Sequence, residues 1–187
     1  MAKIYSPRIN PPSETNKYYI KTTYNGYNRC ILIDYISGSV LPNCTGYAWG
    51  RFMECQDNVH DCNLSRAQAE AWYYANDGYE RGQLPKVGAV ACWSDSAGDG
   101  HVAIVEKVYS NKDILTSNSA YNGSRFYLKT LKRSNNYSYG PTYHFQGFIY
   151  NPTEFEDPDN PTPKTTKTKF NWVLFTREIR RRYWQRN

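Results

Sequence analysis

Long hydrophobic runs are missing from this chain. No stretch approaches the roughly 18 consecutive apolar residues of a membrane span, which excludes a spanning helix. The opening MAKIYSPRINPPSE also lacks the apolar run of a secretory signal, so any export is expected to use another route. Histidine is scarce, at three residues, and the five cysteines contain no C-x2-C pair with a matching second pair. A zinc site is therefore not expected, even with His60 beside Asp61 and Cys62. Asp95 and Asp99 in SDSAGDG fall short of the roughly six to eight oxygen ligands of a calcium site and read as a solvated turn. No metal and no cofactor is expected. Internal repeats are absent too, which excludes a solenoid.

A basic main body is the next absence. Lys164 onward holds eight of the 23 lysines and arginines and one of the 17 acids, leaving 15 basic and 16 acidic residues in 1–163. The net charge of +6 thus belongs to the tail, and a nucleic-acid partner for the main body loses its electrostatic basis.

What is present is a folding composition: 40% hydrophobic and 16% aromatic residues, with 18 tyrosines, over a length that suits one domain and an appendage. Residues 1–24 are polar, Tyr-rich and broken by Pro, and read as an arm with little regular structure. CILIDYISGSVLP reads as a short strand or apolar entry segment closing at Pro42. From Asn43, the natural N-cap, to about Cys55 the spacing predicts a helix. A second helix is expected over RAQAEAWYYAND, capped by Asn63 or Ser65 and stopped at Gly78. After Pro85 the texture changes to GAVACWS, GHVAIVEKV, DILTSNS, RFYLKTLKR and HFQGFIYNP, the strands of a largely antiparallel sheet. Helices first and strands afterward is the α+β order. The domain is expected over 25–150, followed by a Pro- and Thr-rich linker, 151–168, and a basic aromatic tail, 169–187.

Two segments carry chemistry. Cys44 falls in the first turn of the first helix, where unpaired backbone amides and the helix dipole favour a thiolate and can hold an oxyanion. His101 opens an apolar strand after a glycine, and alternation sets it with Ala103 and Val105 on one face, Val102, Ile104 and Glu106 on the other. That places an imidazole where it can serve as general base toward a thiol. Taken singly, each has a blander reading, a Cys packed as a small hydrophobe and a satisfied core His. The cysteines total five, an odd number, so at least one thiol is unpaired within the chain.

Together, LPNCTGYAWGR and GHVAIVE resemble the CHAP family of cysteine amidohydrolases and peptidases, and the likeness extends through TSNSAYNG and FQGFIYNP, roughly residues 25–150. The resemblance implies a papain-like α+β fold with N-terminal helices packed on an antiparallel sheet. It also implies a catalytic set of Cys44, His101 and, by position, Asn118. A hairpin turning tightly at Asn111-Lys112 would set Asn118 opposite Val105, about 13 Å along the strand from His101. Asn122 would then face His101 as the reserve acceptor, whereas a bulge or tighter register would return Asn118 to it. Oxyanion donors would be the Cys44 N–H and Asn43, whose side chain reads better as the cap. Trp93, with Trp49 and Tyr121, is a candidate wall for a glycan or peptide stem, Trp49 being better placed in the core.

The implied activity is hydrolysis of a peptidoglycan amide bond, as an endopeptidase or an N-acetylmuramoyl-L-alanine amidase. The likeness is to phage lysins or tail-associated wall hydrolases, found in a virion or in the host cytoplasm before release to the wall. The tail joins an apolar run to an arginine cluster, and suits anionic wall polymers, a membrane surface or virion tail proteins as partners, or packs back on its own domain. The competing expectation is a noncatalytic virion-assembly or wall-binding protein on the same fold.

Overall fold

The computed structural model describes residues 2–13, 15–19, 43–58, 62–65, 67–98, 100–121 and 123–158. The entry segment 30–42, Cys30, His60, Asp99, Asn122 and the tail 169–187 lie outside them.

The architecture is α+β. In chain order it has β1 (Lys3–Ile4), α1 (Cys44–Gln56), a 3-10 helix (Ala69–Tyr74), β2 (Arg81–Gly82), β3 (Val90–Asp95), β4 (His101–Val108), β5 (Ile114–Asn118), β6 (Tyr127–Leu131), a second short 3-10 turn (Arg133–Asn135), β7 (Tyr143–Ile149) and β8 (Phe155–Glu156). The five longest strands fall on the five Val-, Ile- and aromatic-rich runs. With the two-residue β2 they form one six-stranded antiparallel sheet in the order β2-β7-β3-β4-β5-β6.

Alternation along β4 divides the core. Val102 and Ile104 join Tyr47, Trp49, Phe52 and Met53 of α1 in one apolar layer. Ala103 and Val105 pack with Trp93, Tyr137 and Phe148 in the other. Burying both faces explains why this strand reads as a nearly continuous apolar run.

The expected second helix is a six-residue 3-10 segment instead. Its C-terminal carbonyls are claimed by Arg81, whose guanidinium donates to the carbonyls of Trp72, Tyr73 and Ala75. Trp72 is fully buried against Trp49, and its indole N–H turns back to the Ala67 carbonyl at 3.0 Å. A tertiary anchor and a side-chain cap thus override good helix propensity.

The described part of the N-terminal arm contributes to the core. Tyr5, Tyr18 and Tyr19 are buried, and β1 pairs in parallel with β8, which falls inside the segment expected as linker.

Candidate active site

Asn43 caps α1. Its extended backbone turns the chain into the helix, and its side-chain oxygen accepts from the amides of Thr45 at 3.0 Å and Gly46 at 3.2 Å. The Asn43 amide donates to Ser119 Oγ at 3.0 Å, which fastens the start of α1 to the end of β5. Cys44 therefore sits at the first helical position, next to the strand end that carries Asn118. Of the four described cysteines it is the one partly exposed; Cys55, Cys62 and Cys92 are buried. Burial pushes the Cys55 thiol up to about 11 and raises that of Cys92 as well, so neither is a ready nucleophile at neutral pH.

His101 is the first residue of β4, and the glycine before it is required. Gly100 has φ +69°, and a Cβ there would lie 2.5 Å from the Trp93 carbonyl oxygen and 2.7 Å from the Glu70 amide nitrogen. The imidazole Nε2 lies 3.1 Å from Asn118 Oδ1. The network assigns the atoms: Asn118 Nδ2 donates to the Thr116 carbonyl and to Thr116 Oγ1, both at 3.1 Å, so its oxygen faces the ring. Nε2 then carries the proton and donates, and Nδ1 carries the lone pair.

The simple hairpin register does not hold, and its failure unites the pair. Ile104 faces Ser117 and Val105 faces Thr116, with a register shift at Glu106, between Val105 and Lys107. Extending that register sets Asn118 opposite Ala103, a diagonal neighbour of His101 on the same face.

Aromatic rings enclose the imidazole. Tyr139 stacks on it with centroids 4.2 Å apart, Tyr143 meets it edge-on at 6.4 Å, and Trp93 lies at 6.0 Å. Lys129 Nζ stands 4.0 Å from the Tyr139 ring centroid, and the Tyr139 hydroxyl is bonded to that of Tyr127. Burial pulls the His101 pKa down to about 4; Lys129 pulls the same way, and the Asn118 bond opposes both. The ring is therefore neutral at neutral pH. Burial raises the pKa of both the Tyr127 and Tyr139 hydroxyls; the bond between them lowers that of Tyr127 and raises that of Tyr139, and the Cys44 thiol raises both.

Trp93 needs correcting as a candidate cleft wall. It is fully buried and donates its indole N–H to the Tyr137 carbonyl at 2.8 Å, a core residue behind His101. Trp49 is buried, as its helical position suggested, while Tyr121 is 62% exposed beyond β5. Asp95 caps its own turn by accepting from the Ala97 amide. Sequence reasoning missed Tyr139, Tyr143 and Lys129; the one signal was the density of tyrosines in YSYGPTY.

Residues 34–120, a stretch reaching from ahead of α1 through β5, match the family model of the CHAP domain. All three members of the Cys44, His101, Asn118 constellation fall inside it. A similar solved structure is an N-acetylmuramoyl-L-alanine amidase from Staphylococcus aureus, 23% identical, with a TM-score of 0.43. That likeness covers 57% of this chain and 30% of the amidase chain.

Proposed function

We propose that this protein hydrolyses an amide bond of bacterial peptidoglycan, with Cys44 as nucleophile, His101 as general base and acid, and Asn118 orienting the ring. The observation that carries the reading is the bond from His101 Nε2–H to Asn118, which leaves Nδ1 as the basic nitrogen, with β5 tied through Ser119 to the helix start that bears the partly exposed thiol. The match of residues 34–120 to the CHAP domain supports the cell wall as the target.

The thiol proton passes to His101 Nδ1 as Sγ attacks the amide carbon. The developing oxyanion is met by the Cys44 backbone N–H at the positive end of α1, a turn that Asn43 holds in shape. The imidazolium then protonates the leaving nitrogen, the C–N bond breaks, and a thioester remains. Water, deprotonated by the same ring, releases the carboxylic acid and returns the thiol. Asn118 orients the ring without adding charge. The catalytic module is residues 25–150. The basic aromatic segment 169–187 supplies wall or virion contact, as in a phage lysin or tail-associated hydrolase that reaches the wall from a virion or the host cytoplasm.

The test is incubation of the protein and its Cys44→Ala variant with Gram-positive walls, following turbidity and identifying the new termini by mass spectrometry. Clearing by the parent alone is expected, and the termini separate amidase from endopeptidase. Equal clearing by both, or by neither across a broad strain panel, sinks the reading in favour of wall binding or assembly.

A further inference from the structure

The register shift that brings Asn118 to His101 has a physical anchor. Glu106, the residue at the shift, is fully buried, and its carboxylate is met from three other parts of the chain. From α1, Arg51 donates through Nε to Oε1 and through Nη2 to Oε2, both at 3.1 Å. From β5, Ser117 donates to Oε1 at 2.6 Å. From the N-terminal arm, the Tyr5 hydroxyl donates to Oε2 at 2.8 Å and the Arg8 amide to the same oxygen at 2.7 Å. Ser117 in turn accepts from the Tyr47 hydroxyl of α1 at 2.8 Å.

The three elements gathered here are those that carry the site. α1 bears Cys44, β4 bears His101, and β5 bears Asn118 directly after Ser117. A bulge inserts one residue on one strand and displaces everything beyond it by one position. In this hairpin the displaced part is the end that holds His101 and Asn118. A buried carboxylate with five donors, two from a guanidinium, gives the bulge one geometry, because any other register would leave charges unpaired in the interior.

We propose that Glu106 is a positioning residue of the active site, a buried clamp that fixes the β4–β5 register and holds α1, His101 and Asn118 in mutual alignment. Its catalytic consequence rests on the function proposed above; its structural consequence, the His101–Asn118 bond, does not. The arm residues Tyr5 and Arg8 complete the clamp, which gives that arm a part in catalysis although it meets β4 at Glu106, five positions along the strand from the imidazole.

The experiment compares Glu106→Gln and Ser117→Ala with the parent chain in two readouts. The first is wall hydrolysis resolved into kcat and KM. The second is the nitrogen NMR signature of the His101 ring, identified among the three histidines by its loss in His101→Gln. Tyr150→Phe, which removes a bond to the Leu84 carbonyl at the far end of the sheet, serves as a destabilised control matched in Tm. Both clamp variants should lower kcat about 10- to 100-fold with KM within about twofold, the loss expected of a misplaced catalytic group. Both should also shift the ring away from a single bonded Nε2–H tautomer, while Tyr150→Phe moves neither. Should Glu106→Gln fail to fold, Ser117→Ala, which keeps the Arg51 pair, decides alone. Parental kcat in a folded clamp variant, or an unchanged ring signature, overturns the proposal. If Cys44→Ala cleared walls like the parent, the proposed function would fall and the ring signature would still decide the clamp.

Discussion

Two polar side chains five positions apart on β4 are almost equally hidden, Glu106 fully and His101 with 5% of its surface exposed, yet their surroundings are opposites. Glu106 is given a guanidinium, two hydroxyls and a backbone amide. His101 is given one side-chain oxygen, three aromatic rings and a distant ammonium, and burial leaves it uncharged. Burial alone therefore does not set the state of an ionisable group in this fold; the supply of partners does. One end of the strand is built to be locked and the other to exchange a proton.

The contrast is broken most severely at the locked end. Arg51→Met leaves the buried Glu106 carboxylate without its guanidinium, while Glu54 keeps Arg8, and should cost about 3–5 kcal/mol in urea unfolding. A cost below about 1 kcal/mol would mean that the network is incidental to the fold.

At the exchanging end the effect depends on pH. The unfolded His101 takes up a proton as pH falls below about 6.5, while the folded one resists until about 4. Native stability should thus decline across that window by up to about 3 kcal/mol, with no further change from this group below it. His101→Gln should remove this part of the slope in unfolding measured at pH 7, 5.5 and 4, and an unaltered slope would contradict the assignment.

Tyr139→Ala sharpens the comparison by letting water reach the imidazole. Its pKa should rise toward the ordinary value in an NMR titration, and a ring that still titrated near 4 would show that the stacked tyrosine is not what excludes solvent. The smallest effect belongs to an ordinary feature: Asn43→Ala removes the cap of α1 and should cost about 1 kcal/mol. A loss much larger than that, in thermal unfolding, would mean that Asn43 does more than cap.

The sequence revealed those parts of the fold that depend on local pattern. Short runs rich in Val, Ile and aromatic residues marked the five long strands, and Asn43 with its capping oxygen marked the start of α1. The 69–74 segment was misread because Arg81, remote from any helix rule, takes its carbonyls. Asn118 could be named by resemblance but not placed, since its contact with His101 depends on a one-residue shift that alternation does not encode. Glu106 left a faint trace: a carboxylate in phase with Val102 and Ile104, on the face that packs against α1. Nothing short of the fold showed that Arg51, Ser117 and the arm would converge on it. Trp93 was ambiguous because a strand of small and aromatic residues buries both faces here.

The pairing of β1 with β8 bears on how such a protein is handled. β7 leaves the edge where Tyr143 faces Asp95, close to His101, and ends where Ile149 faces Val90. Phe155, just beyond, packs beside Gly88 and Tyr5 at that second edge. The segment around β8 therefore lies on the side away from the chemistry, as a handle does from its blade. A reporter domain fused directly after Pro158 would start from that second edge, leaving the end of β4 that bears His101 open to a substrate as broad and crosslinked as a wall.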